Sequence, residues 1–148
     1  MLLEVEEFVE ELRRIEERFE HATLHEPLRK CAQQLRLSFI SNFARKENAD
    51  GTKWPERKPR MDDDGHPLLI DEGDLLQATT REAGRGHVED IHDRELVIGV
   101  DADEIEYSVT QQEGSRKKNI PQRQYVYARD KHLGNCGEIL ADAGAKII

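Results

Sequence analysis

The chain has 148 residues, a formal net charge of −9, and hydrophobic and charged fractions of 36% each. That length suits one domain, and we predict a single domain over 1–148, in which 1–25 is an N-terminal helix that can be separate. The acidic balance argues against a general DNA-binding protein, because phosphate contacts need an excess of Lys and Arg. The apolar runs fall far short of the ~20 residues that span a bilayer, so we expect no membrane partner.

The charge is segregated along the chain. Residues 1–20 hold eight Glu against three Arg, and 62–74 holds five Asp and one Glu, whereas 53–60 and 116–131 are basic. Such blocks suit subunits that meet face to face. The glutamate-rich start has no basic region typical of a signal peptide, and Cys31 and Cys136 lie far apart without metal-site spacing. We therefore expect a soluble, cytoplasmic chain with two free thiols.

Two amphipathic helices are predicted first. In the first, apolar residues recur three and four positions apart: Val5, Phe8, Leu12, Ile15 and Phe19. The second is predicted from Pro27 to about Lys46, and its buried face is expected to comprise Leu28, Cys31, Leu35, Ser38, Phe39 and Phe43.

The rest of the chain alternates loops with short elements. We predict a loop over 48–66, a short helix over 73–80, and strands in "RELVIGVDA" and "EIEYSVTQQ". A basic loop over 114–121, extended chain in "QYVYA", and a helix from about Lys131 to Ala143 follow. The predicted fold class is α+β: N-terminal helices packed on an antiparallel β-sheet, with long loops and a C-terminal helix.

The sequence contains few residues in the spacing of a metal site or a catalytic site. The segment "MDDDGH" at 61–66 offers oxygen ligands for a hard cation, but a solvated acidic loop is the stronger interpretation. His21 and His25 are four residues apart without an HExxH pattern, so a zinc site is disfavoured. Neither cysteine has a recognisable base beside it. We predict no catalytic residue, no metal site and no cofactor, and hence no enzyme.

The stretch "SRKKNIPQRQYVYARD" at 115–130 combines positive charge with aromatic residues. Tyr125 and Tyr127 alternate and would share one face of a strand, which suits stacking on single-stranded nucleic acid. The alternative is that the tyrosines pack in the fold beside an exposed basic loop. We favour the second interpretation, because the rest of the chain repels phosphate.

Several separated pieces resemble the phage virion morphogenesis family, the Mu-type tail-completion or head–tail joining proteins. They are "DGTKW", "LLIDEGDLLQA", "VIGVDA", "YSVTQQEG" and "IPQRQY", in the order seen in that family. The family pattern has His-Gln where this chain has Gln111 and Gln112. The resemblance covers roughly residues 35–145.

The resemblance implies a structural protein of a tailed phage or prophage, acting without enzymatic activity in tail completion and head–tail joining. The expected partners are further copies in a homo-oligomeric ring, a hexamer, together with other neck, connector and tail proteins. Genomic DNA would pass through the ring without sequence-specific binding. The expected locations are the virion and, during assembly, the host cytoplasm. Alternatives are a tail terminator that caps the tail tube, a nucleic-acid-binding accessory factor using 115–131, and, least favoured, a metal-dependent hydrolase at 62–66.

The resemblance and the charge pattern together predict an assembly interface. Its residues are Trp54, Arg57, Arg116, Lys117, Lys118, Pro121, Arg123 and Tyr125. We expect the Trp54 side chain to anchor in a pocket of its own or a neighbouring subunit. Arg123 is expected to bind a carboxylate of 62–74 or 101–106. An acidic ring lumen, which would let DNA slide, is a further hypothesis.

Overall fold

The structure, a computed structural model, describes residues 5–56 and 74–148. Its elements in chain order are helices α1 (Val5–His21), α2 (His25–Arg45) and α3 (Asp74–Thr80), strands β1 (His87–Ile91) and β2 (Leu96–Val100), and helices α4 (Ser108–Glu113) and α5 (Asp130–Ile147). The predicted α+β class, with helices at each end and an antiparallel sheet, is confirmed. Most of the predicted loop over 48–66 lies outside the described residues.

The helices follow the apolar periodicity closely. Helix α2 starts two residues before Pro27, which occupies the first turn, where its missing N–H leaves no hydrogen bond unmade. It ends where Lys46 adopts a left-handed conformation and donates its N–H to the carbonyl oxygen of Asn42 at 2.9 Å. Helix α5 extends beyond the predicted range, to Ile147.

The sheet is a two-stranded hairpin. His87 pairs with Val100 and Ile91 with Leu96 in antiparallel register. Strand β2 was predicted, whereas β1, with three polar or charged residues in five, has no apolar alternation to reveal it. The predicted strand over 104–112 is wrong, because residues 108–113 form α4 instead. Its alternating apolar residues cover too few positions to distinguish a strand from a single helical turn.

The core lies where α2, α3 and the irregular segments meet. Its buried members are Phe43, Trp54, Leu75, Ala78, Ile105 and Tyr125. The Phe43 ring meets Trp54 edge-on at 5.9 Å between centroids and the tilted Tyr125 ring at 5.7 Å. These distances are typical of favourable aromatic pairs, so one aromatic triad joins α2 to two loop segments.

Helices α2 and α5 pack together through small residues. The Cys31 thiol donates to the Cys136 carbonyl at 3.8 Å, and the Cys136 thiol donates to the Cys31 carbonyl at 3.7 Å. Both cysteines are free thiols, and burial is the main cause that raises the pKa of Cys31 to about 11. Among the described residues, no helix is long and apolar enough to cross a membrane.

Candidate assembly surface

The Trp54 side chain is buried in its own chain. It is 4% exposed, and its indole Nε1 donates to the Gln124 carbonyl at 3.2 Å. Its backbone N–H donates to the Lys46 carbonyl at 2.7 Å. This hydrogen bond closes a loop in which Glu47 and Lys53 form a β-bridge. The DG turn at 50–51 therefore folds back and delivers the tryptophan to the core.

The Arg123 guanidinium is also buried, at 7% exposure. Its Nε and Nη2 donate to the Pro55 carbonyl at 3.0 and 2.9 Å, and Nη1 lies 3.5 Å from the amide oxygen of Gln111. Its backbone N–H donates to the Gln111 carbonyl at 2.9 Å. Arg123 thus ties the chain after Trp54 to the last turns of α4, through main-chain and amide oxygens.

Gln112 connects α4 to the extended chain that follows Arg123. Its side-chain oxygen accepts the backbone N–H groups of Tyr125 and Val126 at 2.9 and 3.0 Å, and its amide donates to Val126 at 3.1 Å. One glutamine side chain therefore replaces the strand neighbour that segment 124–126 lacks in the described sheet. The Tyr125 hydroxyl donates to the main-chain carbonyl of Ser108 at 2.7 Å. Burial is the main cause that raises the pKa of Tyr125 well above its usual range.

Two polar residues on the buried face of α2 hold the same extended chain from the other side. The amide of Asn42 donates to the carbonyls of Tyr125 and Tyr127 at 2.9 and 3.0 Å. The Ser38 hydroxyl donates to the main-chain carbonyl of Tyr127 at 3.0 Å and accepts the backbone N–H of Arg129 at 2.8 Å. The apolar spacing of α2 predicts Ser38 on this face, but Asn42 was not predicted there. A polar residue four positions later, at a core position, was the available indication of buried hydrogen bonds.

Tyr127 and Arg129 complete this network at its edge. The Tyr127 hydroxyl donates to the Glu47 carbonyl at 2.7 Å, and burial is the main cause that raises its pKa. Arg129 stacks over the Tyr127 ring, 5.4 Å from its centroid, and donates to Asn42 at 2.7 Å. With Tyr125 buried and Tyr127 half-buried, the two rings do not form the exposed stacking platform that a single-strand binder needs.

The basic loop is a tight, exposed turn. Ser115 and Ile120 exchange backbone hydrogen bonds of 2.8 Å each, and Asn119 has a positive φ of 54°. Between them Arg116, Lys117 and Lys118 are exposed. We call these three residues the basic turn. It presents three cations side by side on a frame fixed at its base.

The structure separates the predicted interface residues into two groups. Trp54, Arg123 and Tyr125 are buried and in this conformation organise the fold of their own chain. The Trp54 side chain thus packs in its own chain, one of the two expected sites, and Tyr125 packs in the core, as the favoured interpretation expects. The basic turn is exposed, and Pro121 at its exit is half-buried. Arg57 and the acidic segment 61–66 lie outside the described residues.

The remaining ionisable residues that the structure describes show no assembled ligand set. Within the described ranges, no group of three or more His, Cys, Asp or Glu residues could hold a metal ion. His25, half of the disfavoured zinc pair, lies 3.0 Å from Asp93. A buried network elsewhere joins Arg36 to Glu89, whose carboxylate lies 3.3 Å from His87. This network links α2 to β1 and has a structural role.

Comparison with known proteins finds no matching family model, no similar curated protein and no similar solved structure.

Proposed function

We propose that this protein is a non-enzymatic structural component of a tailed phage or prophage, acting in tail completion and head–tail joining as a subunit of a ring around the DNA path. The observation that carries the proposal is the convergence of the sequence pieces on which the family resemblance depends. Trp54, Gln112, Arg123 and Tyr125 come from three of those pieces and interlock through direct hydrogen bonds and packing.

That convergence is what a family signature of structural residues would produce. Signature side chains bind other pieces of the signature, as Trp54 donates to the Gln124 carbonyl and Tyr125 to the Ser108 carbonyl. Residues that bind substrate would instead converge on an accessible cavity with unmatched polar groups. A scaffold that leaves its charged surface exposed suits a protein whose task is to contact neighbours.

The basic turn is the surface through which we expect assembly. Its three cations stand out from an otherwise acidic chain, and the first helix carries an excess of exposed glutamates. Opposite charges on separate exposed segments favour head-to-tail contacts, which close into rings when the rotation allows. The same arrangement fits a tail terminator, a ring at the far end of the tail tube.

Disrupting the coding sequence in the phage or prophage that carries it tests the proposal. We expect unjoined heads and tails in electron micrographs and a loss of infectious particles, restored by adding the purified protein. Tails of abnormal length would instead identify the terminator. Normal joined particles without the protein would contradict any role in tail completion or joining.

A paired charge reversal tests the surface. Lys117→Glu with Lys118→Glu should leave the fold intact and abolish restoration. Lys30→Glu with Lys146→Glu changes the net charge equally at two exposed positions outside 115–131 and should restore normally. If the rival function as a nucleic-acid-binding factor is correct, the wild type will bind a single-stranded oligonucleotide, about tenfold or more weakly at about 200 mM than at about 50 mM salt. Loss of that binding in the first pair only would then replace our proposal.

A further inference from the structure

Helix α1 is an amphipathic helix whose apolar side is left largely uncovered by the described residues. None of its residues is buried, and Val5, Phe8, Leu12 and Phe19 are 77%, 51%, 48% and 39% exposed. Its described hydrogen bonds to the rest of the chain lie near its C-terminal end, where Arg18 donates to Ile148 at 3.0 Å and Arg94 donates to Phe19. Val5, in the first turn of α1, is the most exposed of these apolar residues.

The apolar residues have the spacing of a two-stranded coiled coil. Val5, Leu12 and Phe19 occupy a positions and Phe8 and Ile15 occupy d positions of successive heptads. An isolated helix of 17 residues is marginally stable in water, so its stability depends on packing of this apolar seam. The seam therefore needs a partner helix with the same spacing.

We propose that the partner is α1 of a second copy of this chain, packed antiparallel. With Leu12 opposite Ile15 of the second copy, Phe8 lies opposite Phe19 of that copy, and almost the whole of each helix is paired. In this register Glu11 and Arg18, which flank the seam at g positions, face each other across the interface twice. Two attractive pairs then oppose one repulsive contact, between Glu16 and its own copy.

The flanking charges select this orientation over the parallel one. In a parallel pair the g position of one helix faces the e position of the other, so Glu11 would face Glu16 twice. Arg18 would face position 23, beyond the end of the helix. The parallel pair has two repulsive contacts and no attractive one.

The consequence is a two-fold contact that differs from the contacts of a ring. An antiparallel pair is isologous and closes after two chains, whereas ring contacts are head-to-tail. The inference goes beyond the proposed function and does not depend on it: α1 would join two chains, or two rings, whichever task the protein performs.

Sedimentation equilibrium of the purified full chain tests the pairing. We expect a reversible dimer, or an even-numbered assembly built from dimers. Leu12→Glu should weaken the pairing by on the order of a hundredfold or more, because the apolar residue is lost from both helices. Val97→Glu, at a comparably exposed apolar residue of β2, is the matched control and should leave the mass unchanged. A wild-type monomer, or a mass that Leu12→Glu leaves unchanged, would overturn the proposal.

Charge exchange tests the orientation. Glu11→Arg and Arg18→Glu should each weaken the dimer by about tenfold, because each replaces two attractive pairs with two repulsive ones. The double variant restores the attractive pairs and should dimerise like the wild type, with circular dichroism confirming equal helix content. Stronger dimerisation of Glu11→Arg alone would demonstrate the parallel orientation and overturn the proposal. Failure of head–tail joining assays would leave these results unaffected.

Discussion

Arg123 holds Pro55 with two hydrogen bonds from one guanidinium, from Nε at 3.0 Å and from Nη2 at 2.9 Å to the same carbonyl oxygen. Pro55 directly follows Trp54, so this contact fixes the chain on the far side of the buried indole. The planar guanidinium reaches one oxygen from two nitrogens while Nη1 lies toward Gln111, a geometry that no other side chain reproduces.

Arg123→Lys should therefore destabilise the fold although it preserves charge. A lysine ammonium cannot span the Pro55 carbonyl and the Gln111 amide together, and it is desolvated at greater cost. We expect a loss of about 1–3 kcal/mol in the free energy of unfolding, measured by urea denaturation. Arg116→Lys, the same change on the exposed basic turn, should alter stability by less than about 0.5 kcal/mol. Equal stability of the two variants would contradict the structural role of Arg123.

Gly114 and Gly137 should respond oppositely to alanine. Gly114 has a φ of +77°, and an added Cβ would lie 2.8 Å from the backbone nitrogen of Gln122. Gly114→Ala should cost more than about 1 kcal/mol, because it combines backbone strain with a main-chain clash. Gly137 lies inside α5 with nothing within 4 Å of an added Cβ, so Gly137→Ala should stabilise by about 0.5–1 kcal/mol. The melting temperatures of the two variants, measured by thermal unfolding, check both directions. Destabilisation by Gly137→Ala would contradict the open space around Gly137.

The parts of the fold that could be predicted are those with a long regular period. Helices α1 and α2 span four or more turns each, so their apolar spacing shows them clearly, and β2 is a short run of aliphatic residues. Helix α4 has six residues, and strand β1 pairs through its backbone while carrying polar side chains. Neither shows the apolar spacing of its own element: the apolar residues before and within α4 alternate as in a strand, and β1 is determined by backbone pairing with β2.

The candidate site shows the same division. The sequence predicts Trp54, Arg123 and Tyr125 as contact residues, but it does not show whether each side chain packs in its own chain or against a partner. That distinction depends on contacts such as Gln112 with Tyr125, 13 residues apart, and Asn42 with Tyr125, 83 residues apart. The exposure of the basic turn, in contrast, can be predicted from the sequence. Three adjacent cations cannot be buried without partners.

The Cys31 thiol should be unreactive in the folded protein. Its raised pKa of about 11 keeps it protonated at neutral pH, and the thiolate is the nucleophile in alkylation. We expect alkylation of Cys31 by iodoacetamide at pH 7–8 to be far slower in the native protein than in urea, as followed by mass spectrometry of its peptide. Raising the pH from 7 toward 10 should accelerate the native reaction by roughly tenfold for each pH unit, because the thiolate fraction rises in that proportion while the pH stays below the pKa of Cys31. Rapid native alkylation at pH 7 would contradict the packing of α2 on α5.

Asn42→Ala should be among the most destabilising single changes in the chain. The Asn42 side chain is fully buried, donates to the carbonyls of Tyr125 and Tyr127, and accepts from Arg129 at 2.7 Å. Alanine would leave three buried polar groups without this partner, and unmatched groups cost more than the hydrogen bonds themselves contribute.

We expect a loss of about 2–4 kcal/mol in the free energy of unfolding of Asn42→Ala, measured by urea denaturation. Asn135→Ala, which removes one half-buried hydrogen bond to Gln34, is the control and should cost about 1 kcal/mol or less. Amide hydrogen exchange gives a second readout. In Asn42→Ala the backbone N–H groups of Tyr125 and Arg129 should lose protection, whereas the exchange rates of the α1 amides should stay unchanged. If the two variants are equally stable, α2 does not hold the extended chain through Asn42, and the core must depend on the aromatic triad alone.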